Sequence, residues 1–120
     1  NFARETLDSK QIDLKLSIEE KIKQLVLPID IRRNVYLFFK EAINNVAKYS
    51  EAKTVEINIY ENDKKISLQI KDDGIGFDEN QIKKGNGLLN FEKRTNELKG
   101  KLKINSSIGN GTEILLVFPF

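Results

Sequence analysis

From Pro28 onward apolar residues return every three or four positions, at Ile31, Val35, Phe38 or Phe39, Ala42, Val46 and Tyr49. This spacing gathers them on one side of a long helix, with Pro28 suited to the edge of its first turn. A helix with one apolar stripe is marginal alone in water, so something must cover that stripe. The rest of the chain supplies strands. Ile12, Leu14 and Leu16 alternate with polar residues, as do Val55, Ile57 and Ile59. After a polar tip from Glu61 to Lys64 the alternation repeats at Ile66, Leu68 and Ile70, which reads as an antiparallel hairpin. Leu102 and Ile104 begin another strand, Gly109-Asn110-Gly111 turns the chain, and the continuous apolar run Ile114 to Phe118 suits a strand buried on both faces. A second helix is expected where Leu88, Phe91, Thr95 and Leu98 resume helical spacing before Lys99-Gly100, and a short one around Phe2 to Leu7. About five strands with one apolar face each and two substantial amphipathic helices make an α/β fold, a two-layer sandwich.

A chain of 120 residues with 39% hydrophobic content fits a single domain spanning residues 1–120. Twenty Lys and Arg are interleaved with eighteen Asp and Glu, for a formal charge of +2, which points away from a nucleic-acid partner. No apolar run approaches the roughly 20 residues of a membrane span. The absence of cysteine and histidine excludes disulfides, thiol nucleophiles, imidazole bases and most zinc sites, leaving carboxylates, amides, hydroxyls and cations for any chemistry. The absence of methionine favours a piece excised from a longer polypeptide.

Four short patterns then stand out in order. Glu41, Asn45 and Lys48 each precede an apolar helix position, so this polar row borders the buried stripe. A ligand along that edge would meet Glu41 as a base or magnesium-organising carboxylate, Asn45 as an oxygen ligand for Mg2+, and Lys48 as a phosphate counter-charge. The same row also reads as a solvated helix flank. Asp72-Asp73-Gly74-Ile75-Gly76 follows an apolar strand, yet no alternating strand follows Phe77 as a simple hairpin requires. The chain enters a long loop to Gly87, with one helical turn expected around Glu79 to Ile82. There the Asp72 carboxylate could accept a hydrogen bond from adenine, with Gly74 and Gly76 leaving room for the ring. Gly85 and Gly87 lie immediately before the second helix, whose first amides could face phosphates held in the loop. Gly109-Asn110-Gly111 needs no ligand to explain it, although Thr112 could reach a phosphate or the base.

Together, E-A-I-N-N-V-A-K from Glu41, D-D-G-I-G-F from Asp72, K-G-N-G-L-L-N from Lys84 and G-N-G-T from Gly109 resemble the ATP-binding domain of bacterial sensor histidine kinases. The wider superfamily includes DNA gyrase, mismatch-repair ATPases and heat-shock chaperones, and the nitrate-sensor-like class has the most similar pattern. The resemblance runs from about Pro28 to the C-terminus. It implies a mixed, mostly antiparallel sheet covered on one face by helices, with ATP under a lid between Phe77 and Gly87. Asn45 would hold magnesium, Glu41 would act as base or its close partner, Lys48 would meet phosphate and Asp72 would read adenine. Gly74, Gly76, Gly85, Gly87, Leu88 and Thr112 would complete the nucleotide site. Tyr49 stands where the class often has His. Asp73 replaces a common Asn and adds negative charge close to the site. The implied partners are a histidine-bearing dimerisation domain of the same kinase and, indirectly, a response regulator. No nucleic acid or membrane contact is expected of this domain, which would be monomeric and cytoplasmic. An anti-sigma-factor serine kinase of the same fold and a non-catalytic interaction module are the alternatives.

Overall fold

The computed structural model describes residues 6–7, 11–47, 51–76 and 86–120. Strands β1 (Asp13–Ile18), β2 (Thr54–Asn62), β3 (Lys65–Asp72), β4 (Lys101–Ser106) and β5 (Thr112–Pro119) form one sheet in the order β1-β2-β3-β5-β4. Helices α1 (Glu20–Lys23) and α2 (Ile29–Asn45) lie between β1 and β2, and α3 (Asn86–Glu97) lies between β3 and β4. The β1–β2 pair is parallel while the other three pairs are antiparallel. A parallel pair needs a crossover, and the segment carrying α1 and α2 is that crossover. The sheet is therefore mixed and mostly antiparallel, as the motifs imply.

Register explains where the core sits. One row crosses all five strands as Leu16, Ile57, Ile70, Ile114 and Ile104, each the partner of the next. Phe38, Ala42, Ile43 and Val46 from α2 and Phe91 and Leu98 from α3 join the same buried cluster. The rings of Phe38 and Phe91 stand 4.9 Å apart at 51°, a tilted pairing that ties the two helices together. Burying each such side chain contributes about 1.5–3 kcal/mol. The opposite face carries Lys15, Glu56, Lys71, Glu113 and Asn105 in the matching row, which is why it stays in water.

Several expectations are corrected. The run Ile114 to Phe118 is not buried on both faces: Ile114, Leu116 and Phe118 are buried while Leu115 and Val117 are only half-buried, because helices cover one face alone. The β2–β3 tip is tighter than four residues. Pairing continues to Asn62 and Lys65, and Asp63 and Lys64 make the turn with φ of 52° and 62°, the mirror-type geometry that suits strand twist. The single turn α1 was not anticipated. Helix α3 begins at Asn86, so Gly87 sits inside its first turn instead of ahead of it. Thr6 and Leu7 are helical, whereas Phe2 to Glu5, Tyr49 and the turn expected at Glu79 to Ile82 lie outside the described residues. Among the described residues no helix is long and apolar enough to cross a membrane.

Candidate active site

The apolar rows of the sheet end in a row that changes character along its length: Leu14, Val55, Asp72, Thr112, Ser106. Asp72 is 7% exposed, so a carboxylate stands at the margin of the core on the helix-covered face. Its Oδ1 accepts a hydrogen bond of 2.9 Å from the Gly74 backbone N–H, which folds the following loop back over it. Burial raises the Asp72 carboxyl above its ordinary range, and the Gly74 and Thr112 backbone amides offset only part of that push. Beside it the Ser106 and Thr112 hydroxyls are 2.8 Å apart, and Ser106 Oγ also donates to the Gly111 carbonyl at 3.0 Å.

Backbone packing fixes this end of the sheet. Gly76 and Gly111 have φ of 65° and 75°, the left-handed region that favours glycine. A methyl group on Gly111 would collide with the Asp72 carbonyl, and one on Gly76 with the Ser107 and Gly111 carbonyls. The loop after β3 thus lies directly on the β4–β5 turn, joined to it by a hydrogen bond of 2.6 Å from Gly109 N–H to the Ile75 carbonyl. A hollow of about 330 Å³ opens here, with Lys71, Asp72, Ser107, Asn110 and Thr112 in its wall.

Asp73 has a job that the sequence reading missed. Its Oδ1 accepts hydrogen bonds from the backbone N–H groups of Lys53 (2.8 Å) and Thr54 (2.9 Å), capping the start of β2. The Thr54 amide foremost holds the Asp73 carboxyl below its ordinary range. Its charge is therefore directed onto strand backbone, in place of the free negative charge expected close to the ligand. An acidic residue just past the end of one strand, beside the start of its neighbour, was the available signal.

Glu41 and Asn45 are half-buried on the last two turns of α2, bordering the buried stripe of Phe38, Ala42 and Val46 as expected. Immediately beyond Asn45 the helix widens into a π turn over residues 46–47. Glu41 lines a second hollow of about 130 Å³ between α2 and α3, with Phe38, Asn44, Phe91 and Arg94. Arg94 Nη1 lies 3.4 Å from Asn34 Oδ1 and 3.5 Å from Glu97 Oε2. Arg94 and Asn44 were not singled out from the sequence. The structure thus brings Asp72, Gly74, Gly76 and Thr112 together at one sheet end and keeps Glu41 and Asn45 on one helix edge. Neither of the two hollows just described is shared by the two groups. Gly87 and Leu88 lie in the first turn of α3, while Lys48 and Gly85 fall outside the described residues.

Residues 30–120 match the family model described as histidine kinase-, DNA gyrase B-, and HSP90-like ATPase. Among characterised proteins, the chain is 34% identical over 93 residues to the signal transduction histidine-protein kinase/phosphatase DegS of Brevibacillus brevis, covering 77% of this chain and 24% of that protein. It is 36% identical over 98 residues to the sensor histidine kinase YdfH of Bacillus subtilis, covering 78% of this chain and 24% of that protein. The chain thus spans about a quarter of the length of these relatives. Among solved structures, the histidine kinase domain of the blue-light activated kinase EL346 from Erythrobacter litoralis superposes with a TM-score of 0.83 at 15% identity, over 98% of this chain and 57% of that one. The Acinetobacter baumannii histidine kinase AdeS gives 0.75 at 20% identity, over 97% and 58%. These two likenesses establish the fold, and the family match with its similar relatives goes further: the chain belongs to the histidine kinase-, DNA gyrase B- and HSP90-like ATPase family.

Proposed function

We propose that this chain is the Mg-ATP-binding catalytic domain of a two-component sensor histidine kinase, which donates the γ-phosphoryl group of ATP to a histidine on a separate dimerisation domain. The observation that carries the reading is Asp72, a carboxylate kept at the end of an apolar row despite the cost of burial, inside a family of ATPases. An ionised carboxylate accepts and does not donate, which suits the exocyclic amine of adenine. Thr112 and the bare backbone at Gly74 and Gly76 would flank the base.

Glu41 and Asn45 offer hard oxygen donors on one half-buried helix edge, a set that fits Mg2+. Magnesium keeps several oxygen ligands that the protein does not supply, and here these would be phosphate oxygens and water. Bound magnesium would supply neutralisation of phosphate charge. Asn45 would orient the ion, Glu41 would assist it or accept a proton from the acceptor, and Lys48 would meet phosphate. Gly85, Gly87 and Leu88 would bring the first turn of α3 to the phosphates. Positioning dominates phosphoryl transfer, so the chain should bind nucleotide yet turn over slowly without its acceptor. The acceptor domain would pass the group to a response regulator, and the setting would be the cytoplasm.

The test combines the chain, Mg-ATP labelled at the γ position and a histidine-bearing dimerisation domain supplied in trans. Acid-labile label on that domain supports the proposal. Acid-stable label on a serine of a protein partner would support the anti-sigma-factor kinase reading instead. A chain that shows neither label transfer nor an upward melting shift at millimolar Mg-ATP refutes it.

A further inference from the structure

Lysine stands at every second position in Lys99-Gly100-Lys101-Leu102-Lys103-Ile104, with aliphatic residues between the last two and after them. In a strand that alternation sorts the two kinds onto opposite faces. The strand is β4, last in the sheet order, and among the described residues its only strand partner is β5. Every second residue of such an edge turns its N–H and C=O away from the neighbouring strand, ready to pair with another. Among the described residues no backbone hydrogen bond reaches β4 from that outer side. We propose that β4 is a docking edge for a partner protein, which adds to it an extended segment of alternating acidic and apolar residues. The inference goes beyond the kinase reading and does not depend on it.

Both faces of the strand call for the same partner. On the open face Lys101 and Lys103 are exposed, and among the described residues neither they nor Lys99 form an ion pair. The one carboxylate of β5, Glu113, lies opposite Asn105, and its Oε2 accepts a hydrogen bond of 2.6 Å from Gln69 Nε2. The two strand lysines are therefore left to meet charge from outside. On the helix-covered face Leu102 and Ile104 pack against the core yet stay half-buried, because no strand continues the layer beyond them. An added strand would set its carboxylates beside Lys101 and Lys103 and its apolar side chains beside Leu102 and Ile104, and both kinds of cross-strand pair are stabilising.

The same lysines work against a second copy of the chain. Antiparallel pairing of two β4 strands with their open faces aligned brings the lysines of the two copies opposite or diagonal to one another, and like charges so placed weaken the ladder. Lysine on an edge strand is a common guard against such self-association. A guard of one sign admits the other, so this edge turns away its own kind and basic strands while accepting an acidic one. Six residues, Lys101–Ser106, at about 3.3 Å each give an edge about 20 Å long, which matches a segment of about six residues. Main-chain pairing supplies the affinity, and the alternation selects the partner.

Titration of the isotope-labelled chain with a capped hexapeptide alternating Glu and Val, followed by amide chemical shifts, tests the edge. Saturable shifts should centre on Lys101–Ser106, and hydrogen exchange of the β4 amides should slow. A hexapeptide alternating Lys and Val should bind about tenfold more weakly or worse. So should the Glu and Val peptide N-methylated at every residue, which keeps its charges and loses its strand donors. In the double variant Lys101→Glu with Lys103→Glu the preference should reverse, with the Lys and Val peptide the tighter ligand. A melting scan shows whether that variant is folded, and should it misfold, the ranking of the three peptides on the wild-type chain decides. Shifts centred on another surface, equal binding of the N-methylated peptide, or dimerisation of the chain through β4 in place of peptide binding overturns the inference. Loss of Mg-ATP binding would bear on the kinase reading alone.

Discussion

Replacing Asp72 by Asn isolates base recognition from folding. Asn keeps an acceptor oxygen for the Gly74 amide, whereas Ala would leave that buried donor unsatisfied at a cost of about 1–3 kcal/mol and confuse the result. Toward adenine, however, the carboxamide turns a donor to the exocyclic amine, and the charge-assisted bond, worth about 1.5–3 kcal/mol, is lost. Affinity should fall about 12- to 160-fold. Unfolding entropy of about 2.1 cal/mol/K per residue gives about 250 cal/mol/K for 120 residues, so 1 kcal/mol moves the melting temperature by about 4 °C. Mg-ATP at 100 times its wild-type Kd adds about 2.7 kcal/mol, a rise of about 11 °C. At the same concentration the variant should retain about 0.3–1.3 kcal/mol, a rise of about 1 to 5 °C. Differential scanning fluorimetry with and without nucleotide reads this directly. Without nucleotide the variant should melt at or above the wild type, because burial disfavours the ionised carboxylate and Asn carries no charge. The sign follows from the raised folded-state pKa: the wild-type shortfall is present where Asp72 is ionised and fades as pH falls through that pKa. A full 11 °C response in Asp72→Asn would refute the assignment of the adenine contact, and a large loss of stability without nucleotide would refute the account of its burial.

Asp73→Ala should lower stability by about 1 kcal/mol, discounted from the roughly 1.5–3 kcal/mol of a charged acceptor because the site is exposed and screened, and leave the nucleotide response unchanged. Since its folded-state pKa is depressed, that contribution is present above the ordinary carboxylate range and lost as pH falls through the folded value, so wild type and variant should converge in acid. Gly111→Ala forces a methyl group against the Asp72 carbonyl at a φ of 75°, and should lower the melting temperature by more than about 8 °C, equivalent to about 2 kcal/mol. Wild-type stability in that variant would mean the two loops can part freely.

The fold was largely legible because periodicity records which side of an element is buried. The stripe from Ile31 to Val46 and the alternations at Val55 to Ile59 and Ile66 to Ile70 became α2 and the β2–β3 hairpin. Strand direction was not legible, since alternation is the same in parallel and antiparallel pairs, and nothing in Ile12 to Leu16 says that β1 runs parallel to β2. Nor does the apolar run in β5 reveal that Leu115 and Val117 face the open side, because residue type reports affinity for burial and not what lies opposite. At the candidate site, the glycines marked sharp turns and Asp72 stood out as an acceptor at the mouth of a loop, whereas the packing of the two loops on each other and the burial of Asp72 depend on strands distant in sequence. Asp73 and Arg94 were missed for a common reason: their partners Thr54 and Asn34 are distant in sequence. Spacing along one element encodes neighbours on that element and is silent about neighbours across the fold.

Helix α2 belongs to the crossover between two adjacent parallel strands, while Asp72 sits two strands in from that edge. The carboxamide and carboxylate of the helix are thus strapped to the rim of the sheet, and the carboxylate proposed to meet adenine is anchored in its middle. Damage that peels β1 away would slacken the strap and leave the centre in place. On the proposed assignment, recognition of a nucleoside and grip on its charged tail are mechanically separable, and adenosine binding should outlast triphosphate binding as the rim comes loose.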